Sequence, residues 1–140
     1  MIKDPEMSVS PKSNTKIFVF YWLPIIIYCL AIFIQSSFPA TESLPKFFQA
    51  DKLAHAGAYA LLGFLFLRAF QTTRIPKGAL LLVILSGLAS SAYGISDEVH
   101  QYFVPSRTFS PADMLANTVG SFIGAATTRI LSKRISPKSA

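Results

Sequence analysis

Apolar residues gather along this chain in four long runs, separated by short polar segments rich in Pro, Ser and charge. The first run extends from Ile17 to about Ile34 without a charged residue, with Pro24 inside it as an expected kink. The second extends from about Leu53 to Phe70 and holds only His55 and Arg68 as ionisable groups, Arg68 near enough to the end to snorkel. The third follows Pro76 and is uncharged from Gly78 to Ile95. It then continues through Ser96, Asp97, Glu98, Val99, His100 and Gln101 with no helix breaker before Pro105. The fourth, from Pro111 to about Leu131, is the least apolar, carrying Asp113, Asn117, several Thr and Arg129, and it needs partners to be buried comfortably. A spanning helix takes about 20 apolar residues, because about 30 Å of hydrocarbon is crossed at about 1.5 Å per residue. Each run meets that length, and together they predict an all-α membrane-embedded bundle of four transmembrane helices.

Composition sharpens this picture. With 51% hydrophobic and 14% charged residues, the chain is too apolar for an ordinary soluble domain. The formal charge of +6 does not point to nucleic acid, because the basic residues lie between the apolar runs and at the tail. Cys29, the single cysteine, sits mid-run and supports neither a disulfide framework nor a cysteine metal site. The expected layout is a disordered tail over 1–15, a four-helix domain over 16–131 and a basic disordered tail over 132–140. A secretory signal from Lys12 to Ala40 is the alternative reading. Its apolar stretch is longer than the 7–15 residues usual for a signal core.

Lys and Arg in short loops set orientation. Lys3, Lys12, Lys16, Arg68, Arg74, Lys77, Arg129, Lys133, Arg134 and Lys138 fall on one side; Lys46, Lys52 and Arg107 fall on the other, with Glu42, Asp51, Asp97, Glu98 and Asp113. Both termini are therefore expected in the cytoplasm, and the mixed polar layer on the outer face of a bacterial inner membrane.

That outer layer holds the candidate chemistry. Asp51, His55 and Tyr59 recur every four residues on the second helix; Gly87, Ser91, Gly94 and Glu98 form a small-residue stripe on the third, beside a row of Tyr93, Asp97 and Gln101. Asp113, Asn117, Gly120 and Gly124 line the fourth, the last two at Gly-x-x-x-Gly spacing, which lets helices approach closely in lipid. Several of these residues also have a purely structural reading. Ser110-Pro111-Ala112-Asp113 is the pattern of a capped helix start, Asp51 suits the positive end of its helix, and His55 and Asn117 suit interhelical hydrogen bonds. The adjacent Asp97 and Glu98 oppose the helix dipole and repel each other, so they call for a partner, with Arg107 and Lys52 the available cations. His100 is expected to face the headgroups. Two His and several carboxylates are present, but at no zinc-motif spacing, and neither a metal nor a cofactor is expected. No phosphate loop or nucleophile elbow occurs.

Gln35-Ser36-Ser37, the DKLAH of Asp51 to His55 with Tyr59 and Gly63, and SDEVHQYFVPSRTFSPADMLANTVGSFIG from Ser96 to Gly124 together resemble the VanZ-like family of small membrane proteins. Within that pattern lie Asp97, Glu98, Gln101, Phe103, Pro105, Arg107, Ser110, Asp113, Asn117 and Gly120, and the likeness covers roughly residues 17 to 130. The family takes its name from an accessory protein that lowers susceptibility to teicoplanin, and it has no settled biochemical activity.

The leading expectation is a non-catalytic envelope protein whose outer mouth binds a polar or anionic ligand, a lipid headgroup or lipid-linked cell-wall precursor. Asp51, Lys52, His55, Asp97, Glu98, Gln101, Arg107, Asp113 and Asn117 are its candidate binding residues. The alternative is a membrane enzyme acting on a lipid-linked or acyl or phosphoryl substrate, with His55 or Glu98 as general base. A transporter is disfavoured by the single polar layer. Homo-oligomerisation through the small-residue stripes is left open.

Overall fold

The computed structural model describes residues 14–39, 50–74, 78–105 and 107–135. Four long helices follow one another: α1 (Asn14–Ser36), α2 (Ala50–Phe70), α3 (Ala79–Tyr102) and α4 (Pro111–Ile135). The four-helix, all-α architecture matches the four apolar runs. Of the tails expected over 1–15 and 132–140, residues 14, 15 and 132–135 are instead helical, continuing the terminal helices; 1–13 and 136–140, and the cations Lys3, Lys12, Lys46, Lys77 and Lys138 with Glu42, lie outside the described residues.

Interhelical contacts give an up-down-up-down bundle. Trp22 near the start of α1 stacks edge-on against Phe70 at the end of α2, while Ser37 just past α1 meets His100 near the end of α3. Lys52 and His55 at the start of α2 meet Asp113 and Asn117 at the start of α4, so α2 and α4 run parallel with α3 antiparallel to both. The closest packing is between α2 and α4. A Cβ at Gly120 would strike the Ala56 carbonyl, one at Gly124 the Ala60 carbonyl, and one at Gly63 the Ser121 carbonyl. Gly94 lies against Asn117 and Tyr59, and Gly87 against the Phe122 ring. The small-residue stripes read from the sequence are thus used within the chain to seat one helix on another.

Helix α1 is the outlying member, and only Ile25, Ile32 and Ser36 of its last 14 residues are buried. Ile25 and Ile32 join Tyr59, Leu62 and Ala69 in an apolar cluster, and the Tyr28 and Tyr93 hydroxyls tie α1 inward by donating to the carbonyls of Ala58 and Cys29. Residues Phe18–Trp22 form a π-helical turn in which the Leu23 N–H reaches back to the Phe18 carbonyl. Pro24 lacks an N–H and its ring crowds the carbonyl four residues back, so the widened turn accommodates the expected kink site.

The distribution of polarity is inverted relative to a soluble domain. Ser86, Ser90, Ser91, Glu98, Gln101, Asn117 and Ser121 are buried, while Ile27, Leu30, Ile34, Leu80, Leu88, Leu115, Ile123 and Ile130 are exposed. Large exposed apolar area of this extent needs lipid to cover it. Helices α1, α2 and α3 are long and apolar enough to cross a membrane. The lower apolarity of α4 comes from its inward row of Asn117, Ser121 and Thr128; its outward positions Leu115, Val119, Ile123, Ile130 and Leu131 are aliphatic.

Candidate functional site

The polar residues converge at one end of the bundle, where α1 and α3 finish and α2 and α4 begin. Helix α4 starts as the Ser-Pro-x-Asp pattern predicts: Pro111 opens the helix, and the Ser110 hydroxyl accepts from the Asp113 N–H at 3.3 Å. The Ser110 N–H donates in turn to Glu98 Oε2 at 3.2 Å. A carboxylate from α3 therefore fills the reciprocal role that a capping box assigns to an acid of the same helix.

Lys52 extends across from α2, placing Nζ 2.5 Å from Asp113 Oδ1 and 3.4 Å from Asp51 Oδ2. His55, one turn deeper, shares a hydrogen bond of 3.0 Å between Nδ1 and Asn117 Oδ1. The amide oxygen only accepts, so Nδ1 carries a proton, and Nε2 lies 3.8 Å from Asp51 Oδ1. Glu98 Oε1 lies 3.9 Å from His55 Nδ1. Glu98 and Asn117 are 0% and 1% exposed, and within them Glu98 Oε1 and Asn117 Nδ2 make no hydrogen bond. Asp51, His55 and Asp113 each present a ligand atom such that all three atoms fall within 4.8 Å of one another.

A second group ties α1 to α3. Gln101 Nε2 donates to Asp97 Oδ2 at 3.0 Å and approaches Ser36 Oγ at 3.5 Å. The Tyr59 hydroxyl is directed at the Asp97 carboxylate without completing a hydrogen bond. Arg107 donates through Nε to the Phe38 carbonyl at 3.1 Å and through a terminal nitrogen to the Gln35 carbonyl at 3.3 Å, capping the exit of α1.

All nine candidate binding residues thus sit at this end, in two groups. Asp51, Lys52, His55, Glu98, Asp113 and Asn117 form the first; Asp97, Gln101 and Arg107 join Ser36 and Ser37 in the second. The expected pairing of the adjacent acids with Arg107 and Lys52 is not what forms. Arg107 serves α1, Lys52 serves Asp113 and Asp51, Asp97 is held by Gln101, and Glu98 by the Ser110 backbone. The half-buried His100 ring packs on Phe33 at 4.5 Å between centroids and meets Ser37 Oγ at 3.0 Å. Sequence reasoning overlooked Ser36 and the Ser110 N–H as partners. The Ser110 contact was traceable through the cap pattern, whereas the Gln35-Ser36-Ser37 stretch gave no cue to which residue Ser36 would meet.

No curated protein and no solved structure matches the chain. A family model described as VanZ/LLP1 matches residues 7–132, which spans all four helices and both polar groups, and the chain belongs to that family.

Proposed function

We propose that this chain is a protein of the bacterial inner membrane whose extracytoplasmic mouth binds the polar or anionic head of an envelope amphiphile, a lipid headgroup or a lipid-linked cell-wall precursor. One observation carries the reading: ionisable and amide side chains are buried together at a single end of a bundle whose flanks are aliphatic. Burying charge in such surroundings is costly and recurs in membrane proteins where polar ligands are handled. Lys52, its side chain 36% exposed, is the cation placed to meet an anionic head, and Arg107 lies at the exit of α1 at the same end of the bundle. The excess of Lys and Arg at the opposite end supports an outward-facing mouth.

The test is saturable binding of a polyprenyl-linked cell-wall precursor to the protein in nanodiscs, compared with a bilayer phospholipid of equal charge. Lys52→Gln is expected to weaken binding about tenfold, in line with loss of one charge-assisted hydrogen bond. Absence of saturable binding to either lipid contradicts the proposal. Membership of this family makes teicoplanin susceptibility the cellular phenotype to measure, and loss of the chain is expected to raise it.

An enzymatic reading has one observation in its favour. Asn117 orients His55 through Nδ1 and leaves Nε2 turned toward Asp51 and the mouth, the position from which an imidazole could act as a general base. Turnover of a lipid-linked substrate that disappears in Glu98→Gln while binding persists would support it.

A further inference from the structure

We infer that the mouth is a divalent cation site, with His55 Nε2, Asp51 and Asp113 as ligands and Glu98 as the buried charge behind them. The inference goes beyond the headgroup reading and stands without it. Glu98 carries it. This carboxylate is fully buried, one of its oxygens has no hydrogen-bond partner, and that oxygen lies 3.9 Å from the imidazole of His55. A buried carboxyl oxygen left without a hydrogen-bond partner beside an imidazole is better accommodated when a cation is bound close by.

The surrounding charge points the same way. Among the described residues at this end, Asp51, Asp97, Glu98 and Asp113 face only Lys52 and Arg107, and Arg107 is engaged with the carbonyls of α1. Carboxyl groups outnumber cationic side chains at the mouth, and a bound dication shifts that balance in favour of an anionic head.

The donor set is coherent. Ligand atoms of Asp51, His55 and Asp113 already lie within 4.8 Å of one another, so closing on an ion with bonds of about 2.0–2.2 Å needs side-chain shifts of up to about an ångström. The hydrogen bond from His55 Nδ1 to Asn117 fixes the tautomer that leaves Nε2 available, which is the outer-shell support that metal-binding histidines have. One imidazole with carboxylates suits Zn²⁺ or Mn²⁺ better than Ca²⁺. The spacing along the chain hides this set, because Asp51 and His55 come from α2 and Asp113 from α4.

Lys52 is the internal competitor. Its ammonium stands between Asp51 and Asp113, so a dication entering there displaces it. The freed side chain then points to the open mouth, where an anionic head bound to the metal can meet it. Lys52→Met should accordingly tighten metal binding, whereas the headgroup reading alone has Lys52 substitution only weaken lipid binding.

The experiment is titration of ZnCl₂ and MnCl₂ into the full-length protein, purified in detergent, stripped with chelator and free of added lipid, followed by calorimetry and metal analysis. One ion per chain is expected. His55→Gln and Asp113→Asn should each lose about tenfold or more in affinity, Asn117→Ala about tenfold, and Lys52→Met should gain about tenfold. Because Lys52→Met improves binding, its result cannot be produced by misfolding. No stoichiometric binding in either the wild type or Lys52→Met overturns the assignment, as does undiminished binding in a folded His55→Gln/Asp113→Asn double variant.

Discussion

Arg107 illustrates the gap between a residue's chemistry and its use. Its position in the loop between the third and fourth helices makes it legible as a cation of the polar layer, and the structure spends it on the last carbonyls of α1. Arg107→Ala should therefore loosen α1, lowering stability by about 1 kcal/mol, the size of a partly exposed charged hydrogen bond. Arg107→Lys should recover little of it, since an ammonium cannot fork between two carbonyls. Thermal unfolding in detergent reads both. Asn117 is the opposite case, a residue whose small polar side chain does two jobs. Asn117→Leu removes the partner of His55 Nδ1 and is expected to cost about 1–2 kcal/mol in the same assay. Ser110, Pro111 and Asp113 were legible individually because a helix cap is local and its residues are consecutive. The partners of Asp97 and Glu98 were not, because a four-residue period tells which side chains share a face and leaves open what the face meets.

At the level of helices, the boundaries followed from apolar runs and prolines, and the small-residue rows marked the faces that pack. Gly120 and Gly124 bring the backbone of α4 against the carbonyls of Ala56 and Ala60, so Gly124→Leu should force α2 and α4 apart at a cost of 3 kcal/mol or more, roughly the upper range for overpacking. Gly57 faces open space on the same helix as Ala56, and Gly57→Ala should be neutral or stabilising by up to about 1 kcal/mol through helix propensity. Comparing the two variants by thermal unfolding separates close approach from propensity. The π turn of α1 was only partly legible. Pro24 announces a distortion, but whether the chain answers with a bend or a widened turn depends on how Tyr21, Trp22 and Tyr28 pack against α2.

Over the whole molecule, the arrangement is a polar seam wrapped in aliphatic side chains and opening at one end. Hydropathy alone identified the membrane class, and it undervalued α4 because averaging along a helix mixes the inward row of Asn117, Ser121 and Thr128 with the outward row of Leu115, Val119 and Ile123. His55 and the carboxyl groups of Asp51, Glu98 and Asp113 meet only when α2, α3 and α4 assemble, which is why a cluster built across helices escaped a search by spacing. Orientation rests on the sequence expectation that assigns ten Lys and Arg to one side of the membrane and three to the other. It decides whether the mouth meets envelope lipids or cytoplasmic solutes. The direct measurement uses a Cys29→Ser background with Thr108→Cys at the mouth and Gly78→Cys at the opposite end, probed in intact cells with a membrane-impermeant maleimide. Labelling of position 108 in intact cells, with position 78 reacting only after permeabilisation, is the predicted result. The reverse pattern would place the mouth in the cytoplasm and contradict the account.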